Sequence, residues 1–209
     1  MKKTILYVVL LCSFFLSKSV PADAVVIVDT GIPPGDGSGG VSLFSTQWLA
    51  GEIALNQSYS VNSIEGWIAD AGVTPGTLTV ILYGDGGNVP DMGNELFSQV
   101  INVTAQQFPH ADWHGVTGID LDLLPGEYWV AFEVRPGNTY FGWLPQFPPN
   151  PLLNYAANYE FSNGVYLNSY NPIGIRVGAE STVIPEPTTL FLLGPTLLGL
   201  ALRRKLFSK

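Results

Sequence analysis

With 209 residues, one of them cysteine and 12% of them charged, the chain has material for one domain once its two apolar ends are set aside. Seven of the nine basic residues lie in those ends. Between Val25 and Ile184 only Arg135 and Arg176 stand against fifteen carboxylates, a net charge of −13. A field of that sign excludes nucleic acid and anionic lipid as partners of the central region. Cys12, which sits in the first apolar run, leaves that region without a disulfide, a thiol nucleophile or a cysteine metal ligand.

The first end reads Met1-Lys2-Lys3-Thr4, an apolar run from Ile5 to Leu16, then Ala22-Asp23-Ala24. A basic start, a short hydrophobic stretch and small residues at the close make residues 1–24 a secretory signal peptide, which hands the chain to the Sec export machinery. As a helix the apolar run would cover only about 18 Å of a hydrocarbon core of about 30 Å, too little for an anchor.

From residue 25 to 182 no helical periodicity is sustained, and short alternating runs recur between glycine, proline and asparagine turns. The fold class is all-β: a single antiparallel β-sandwich, jelly-roll-like. Strands are expected at Val25 to Val28, Gly51 to Leu55, Val61 to Ile68, Thr77 to Tyr83, Leu96 to Val103, Gly118 to Leu123, Glu127 to Val134 and Ile173 to Val177. Alternation sets Ile119, Leu121 and Leu123 against Asp120 and Asp122, and sets Tyr128, Val130, Phe132 and Val134 against Trp129, Ala131 and Glu133. Pro125-Gly126 reads as a hairpin turn, and Pro75-Gly76 repeats it. Gly31 to Gly40 reads as a flexible loop.

Several groups of side chains invite chemistry. Asp85, Asn88, Asp91, Asn94 and Glu95 gather oxygen ligands and glycines in one loop, as calcium requires, though without the glutamate spacing of an EF-hand; capping of turns is the competing reading. His110 and His114 have helical metal-ligand spacing, but Pro109 and Gly115 argue for a loop. Asp120 with Asp122, or Glu127 with Glu133, could serve as glycosidase carboxylates, yet alternating strands produce such pairs by default. The aromatic, asparagine-rich stretch from Asn138 to Pro172 suits stacking on sugar rings, with Tyr140, Trp143, Tyr155 and Tyr159 as glycan contacts, or packing beneath a long loop. No catalytic residue is assigned, and no enzymatic activity is expected.

The other end has three ordered parts: Pro185-Glu186-Pro187, an apolar stretch that makes a helix over about 188–202, and the basic cluster Arg203-Arg204-Lys205. The prolines hold the chain extended ahead of the helix, the helix enters the membrane, and the positive cluster stops translocation and stays in the cytoplasm. At about 22 Å the helix is short for a bilayer, and Pro195 within it should introduce a kink. Both ends therefore place the domain outside the membrane and the last few residues inside.

This order of parts, over residues 183–209, resembles the PEP-CTERM sorting signal of Gram-negative bacteria that make exopolysaccharide. The resemblance implies that Pro185, Glu186 and Pro187 mark processing by an exosortase, a membrane sorting enzyme. It also implies an inner-membrane-anchored precursor and delivery to the cell surface or extracellular matrix. Stretches such as Gln47-Trp48-Leu49-Ala50, Ile64-Glu65-Gly66-Trp67 and Gly126 to Glu133 resemble a β-sandwich ectodomain often found ahead of that signal, which implies a fold and a setting but no activity. The function expected is a non-enzymatic structural or binding role linked to exopolysaccharide. A carbohydrate-binding module and a glycan-active enzyme are the alternatives.

Overall fold

The computed structural model describes residues 24–34, 39–70, 75–104, 110–159 and 164–181. The tail from residue 183, and all of the expected signal peptide before Ala24, lie outside these residues. Among the described residues there is no helix, and so none long and apolar enough to cross a membrane.

The strands are β1 (Ala24–Asp29), β2 (Val41–Leu43), β3 (Gln47–Leu55), β4 (Tyr59–Asp70), β5 (Gly76–Asp85), β6 (Pro90–Val103), β7 (Ala111–Leu123), β8 (Gly126–Glu133), β9 (Gly142–Leu144), β10 (Tyr155–Tyr159), β11 (Tyr166–Asn168) and β12 (Ile175–Ser181). Every pairing between them is antiparallel. In the first sheet β1, β12, β4 and β7 run side by side, while β9 pairs with the far end of β4 and β2 pairs with β9. The second sheet has the order β11-β10-β3-β8-β5-β6.

Setting aside β2, β9, β10 and β11, the chain passes from the first sheet to the second and back at each step except β5 to β6. Two four-stranded sheets threaded in this way form a jelly roll. All eight expected strands are these eight. The four additional ones widen the sheets, two on each.

One apolar cluster draws on both sheets: Val61, Ile64 and Ile68 of β4 and Ile175 and Val177 of β12 meet Leu49 and Ile53 of β3 and Val130 and Phe132 of β8. The two sheets approach closely at two glycines. A Cβ at Gly66 would come within 2.5 Å of Phe132 Cζ, and one at Gly51 within 2.7 Å of Ile175 Cδ1. These positions lie in opposite sheets, so each glycine lets a bulky side chain of the facing layer reach its backbone.

Three expectations are corrected. Pro75-Gly76 and Pro125-Gly126 do not close hairpins: β4 and β5 lie in different sheets, as do β7 and β8, so both turns carry the chain across the sandwich. The stretch around His110 and His114 is not simply a loop, because β7 begins at Ala111, seven residues before its expected start, and His114 pairs with Gly66. The aromatic stretch from Asn138 to Pro172 is not one long loop but holds β9, β10 and β11.

Replacing Gly66 with valine should force Phe132 out of place and cost about 1–3 kcal/mol of stability. The measurement is urea denaturation followed by tryptophan fluorescence; an unchanged midpoint would mean that the layers have room to spare at this point.

Candidate functional site on the outer face of the second sheet

The face of the second sheet turned away from the first would ordinarily be wet and polar. Register places Ala156 of β10, Ala50 of β3, Ala131 of β8 and Ile81 of β5 in one row across it. Trp129 and Tyr83 stand beside that row, and all of these side chains are buried in a second apolar cluster that also includes Tyr166 of β11. Tyr83 and Tyr166 belong to strands with three others between them, yet their ring centroids are 6.4 Å apart. Flat strands would separate those backbones by about 19 Å. The sheet therefore curls around this face, and large rings close over a floor of alanines.

Glu133, at the end of β8, is fully buried at the middle of this arrangement. One carboxylate oxygen accepts hydrogen bonds from Tyr83 Oη at 2.9 Å and Tyr166 Oη at 2.8 Å. The other accepts from Arg135 Nε at 2.7 Å. Arg135 continues outward, donating from Nη2 to Glu95 of β6 at 2.8 Å. Burial alone would lower the guanidinium pKa, but Glu95 and Glu133 outweigh it and raise the value. Burial and the neighbouring Glu133 push both tyrosine hydroxyls up. Arg135 holds Glu95 below the usual carboxylate range. A carboxylate so enclosed, with both oxygens engaged, acts as a fastener between strands, while Glu127 belongs to another group of side chains.

A different set of carboxylates does converge. Glu52 of β3, Asp85 at the end of β5 and Glu127 of β8 each offer an oxygen, and these lie within 4.8 Å of one another. Asn154 Nδ2 donates to Glu52 at 2.5 Å, and Trp129 Nε1 donates to Asp85 at 3.1 Å. Burial, and secondarily the charges of Glu127 and Asp85, raise the Glu52 pKa. These residues come from separate parts of the chain and meet only because β3, β8 and β5 are neighbours.

The loop expected to hold calcium does not converge in this way. Asp85 and Asp91 cap their own turns through Gly87 N at 2.9 Å and Gly93 N at 3.0 Å, and Glu95 is engaged by Arg135. Asn88 is exposed on the turn, and Asn94 packs toward Gly84. Of the five expected ligands, only Asp85 belongs to the carboxylate trio.

Nor do the expected glycan contacts form a platform. Tyr140 is 2% exposed with its hydroxyl on Ala69 O, and Tyr155 is 4% exposed with its hydroxyl accepting from Leu152 N. Burial raises the Tyr155 pKa to about 12. Both rings belong to the main core, which leaves no face for a sugar. Trp143 and Tyr159 are half-buried, and the Tyr159 hydroxyl lies 3.1 Å from Ser169 Oγ and accepts from Asn171 Nδ2.

The outer face of the first sheet carries an open groove of mixed lining, in which Ser60, Asn62, Ser63, Thr117, Asp120 and Glu180 stand beside Gly118 and Ile119. It exists because register slips on both sides of β4 at Asn62: β7 inserts extra residues, with Gly118 at a φ of 71°, and β12 skips one. Bulges of this kind bend a strand and re-aim a side chain. Asp120 accepts from Ser60 Oγ at 3.0 Å. Farther along the same face Trp67 and Trp113 pack edge to face at 5.3 Å, with Arg176 over the Trp113 ring.

The sorting residues Pro185, Glu186 and Pro187 and the basic residues Arg203, Arg204 and Lys205 lie outside the described residues. Sequence comparison bears on them directly. A family model for the PEP-CTERM protein-sorting motif matches residues 183–205, a span that contains all six. No curated protein matches the chain.

Because the folded state holds more protons on Glu52 than the unfolded state just above pH 4.5, stability from this group falls as pH rises through that window. Glu52→Gln keeps an acceptor for Asn154 while removing a charge that burial, and secondarily Glu127 and Asp85, disfavour. Its Tm should exceed that of the wild type at pH 7, with the gap closing at pH 4. A lower Tm at pH 7 would contradict this reading of the buried charge.

Proposed function

We propose that this chain, which carries a PEP-CTERM sorting motif at residues 183–205, is an exported surface or matrix protein whose jelly roll has a non-enzymatic role in contact with exopolysaccharide. The motif implies recognition by an exosortase and a membrane-anchored precursor. It is the single observation that carries the reading. In this reading the signal peptide starts export, the apolar stretch holds the precursor in the inner membrane, and Arg203, Arg204 and Lys205 keep the last residues inside. The sorting enzyme then acts near Pro185-Glu186-Pro187 and passes the domain to the surface. The acidity of the domain supports the same address, since it keeps the protein soluble and off anionic lipid. The reading requires no cofactor.

Chemically, the chain supplies the features that a sorting enzyme would use. Prolines at 185 and 187 flank Glu186, and proline has no backbone N–H to donate to a helix or a sheet ladder. The described domain ends in β12, paired on both sides, so that processing beyond it would leave the sandwich whole.

The test follows a tag placed after residue 24 in cells with and without the sorting enzyme. The mature protein should be smaller by the mass of the tail and found at the surface. Without the enzyme, or with Glu186→Ala, the full-size form should stay in the inner membrane. A chain of one size and one location in both strains would refute processing.

The groove on the first sheet favours a second reading, a module that binds a defined glycan, because hydroxyls, an amide and two carboxylates converge there on a surface open to a chain-like ligand. On a glycan array, Asn62→Ala should abolish binding that Leu153→Ala, at a fully exposed site, leaves intact. Equal binding by the two variants would remove the groove from consideration.

A further inference from the structure

The second sheet ends at β6, a fourteen-residue strand that pairs with β5 and with no other strand among the described residues. A long edge strand presents a row of backbone donors and acceptors to any strand that can lie beside it, and folded proteins usually blunt such edges with charge, proline or bulges. The first part of β6 is blunted in this way: it starts at Pro90, carries Asp91 and Glu95, and slips register twice against Tyr83. The second part is not. From Leu96 to Val103 the sequence is LFSQVINV, with no charge and no proline, and from Phe97 to Val103 it pairs with Leu82 to Gly76 without a break.

This uncharged run is about 27 Å long, more than three Debye lengths at physiological ionic strength. It lies in a region of net charge −13, and Glu95, the acidic residue at its start, is held by Arg135. Apolar side chains remain open along it: Leu96 is 38% and Val100 56% exposed. A basic partner would be drawn to the acidic faces of the domain. A neutral strip suits a partner that is itself acidic and presents an uncharged strand of its own.

We propose that β6 is a self-association edge, on which a second copy of this chain adds its own β6 in antiparallel register about a twofold axis at Val100. The symmetry makes the contact complementary to itself: Val100 faces Val100, Ser98 faces Asn102, and Phe97 faces Val103. Facing residues of like parity lie on the same side of the sheet, so the two second sheets join into one and backbone groups on each edge gain partners.

The chain's lone cysteine lies at position 12, which makes cross-linking a clean test. In full-length protein with Cys12→Ser, purified in mild detergent, Val100→Cys should give a disulfide-linked dimer under gentle oxidation. Paired Cα atoms in such a ladder lie about 4.5–5.5 Å apart, within disulfide reach. Leu153→Cys, at a site 91% exposed and remote from β6 in sequence, should stay largely monomeric under the same conditions. Val100→Lys would set like charges face to face and should weaken the dimer at least about tenfold in sedimentation equilibrium, with circular dichroism unchanged. The proposal is overturned if Val100→Cys fails to cross-link, if Leu153→Cys cross-links equally well, or if folded Val100→Lys self-associates like its parent. Should Val100→Lys not fold, the comparison of the two cysteine variants decides alone.

Discussion

Glu133 has no contact with solvent, so every favourable interaction of its carboxylate must come from the protein. Two tyrosine hydroxyls and one guanidinium supply them, and they arrive from β5, from β11 and from the segment just beyond β8. Since β5 and β11 lie on opposite sides of β8 within the sheet, satisfying one oxygen requires the sheet to bend until both rings reach it. The curl lets Trp129 and the tyrosines shelter the row of alanines, and it gives the domain a second apolar cluster outside the main core. Arg135 extends the same tie to Glu95 on β6. Of the two cations in the acidic central region, one is therefore spent on holding four strands of the second sheet together.

That tie also explains why the segment between β8 and β12 belongs to the fold. A jelly roll is complete without it. Here it supplies Tyr140 and Tyr155 to the core and Tyr166 to Glu133, while Asn154 reaches back to Glu52. The aromatics that suggest a sugar platform when read along the chain are mostly used to attach this segment, and an open groove with polar groups along it lies on the other sheet.

Much of the architecture is legible in the sequence because burial on one face imposes a period of two. In β7, Ile119, Leu121 and Leu123 face the core while Asp120 and Asp122 are exposed, as alternation requires. Legibility fails where that asymmetry fails. β10 is buried on both faces and shows no alternation, and β2, β9 and β11 have three residues each, too few to display a period. Composition and order make the tail readable, since its three parts act one after another along the chain. The carboxylate trio was not readable. Glu52, Asp85 and Glu127 are far apart in sequence, and only the order β3-β8-β5 brings them together. Pro75-Gly76 and Pro125-Gly126 each stand at the start of a strand, β5 or β8, but could not say whether that strand returns to the same sheet.

The place of β12 has a mechanical meaning. The polypeptide leaves the sandwich through this strand on its way to the tail, and β12 is bonded along one edge to β1 and along the other to β4. A pull on the tail, directed along the strand, would load both ladders in shear, so that many hydrogen bonds must yield together instead of unzipping singly. A domain held by its last residues against flow or a moving cell would meet the load at a clamp built into the middle of its first sheet.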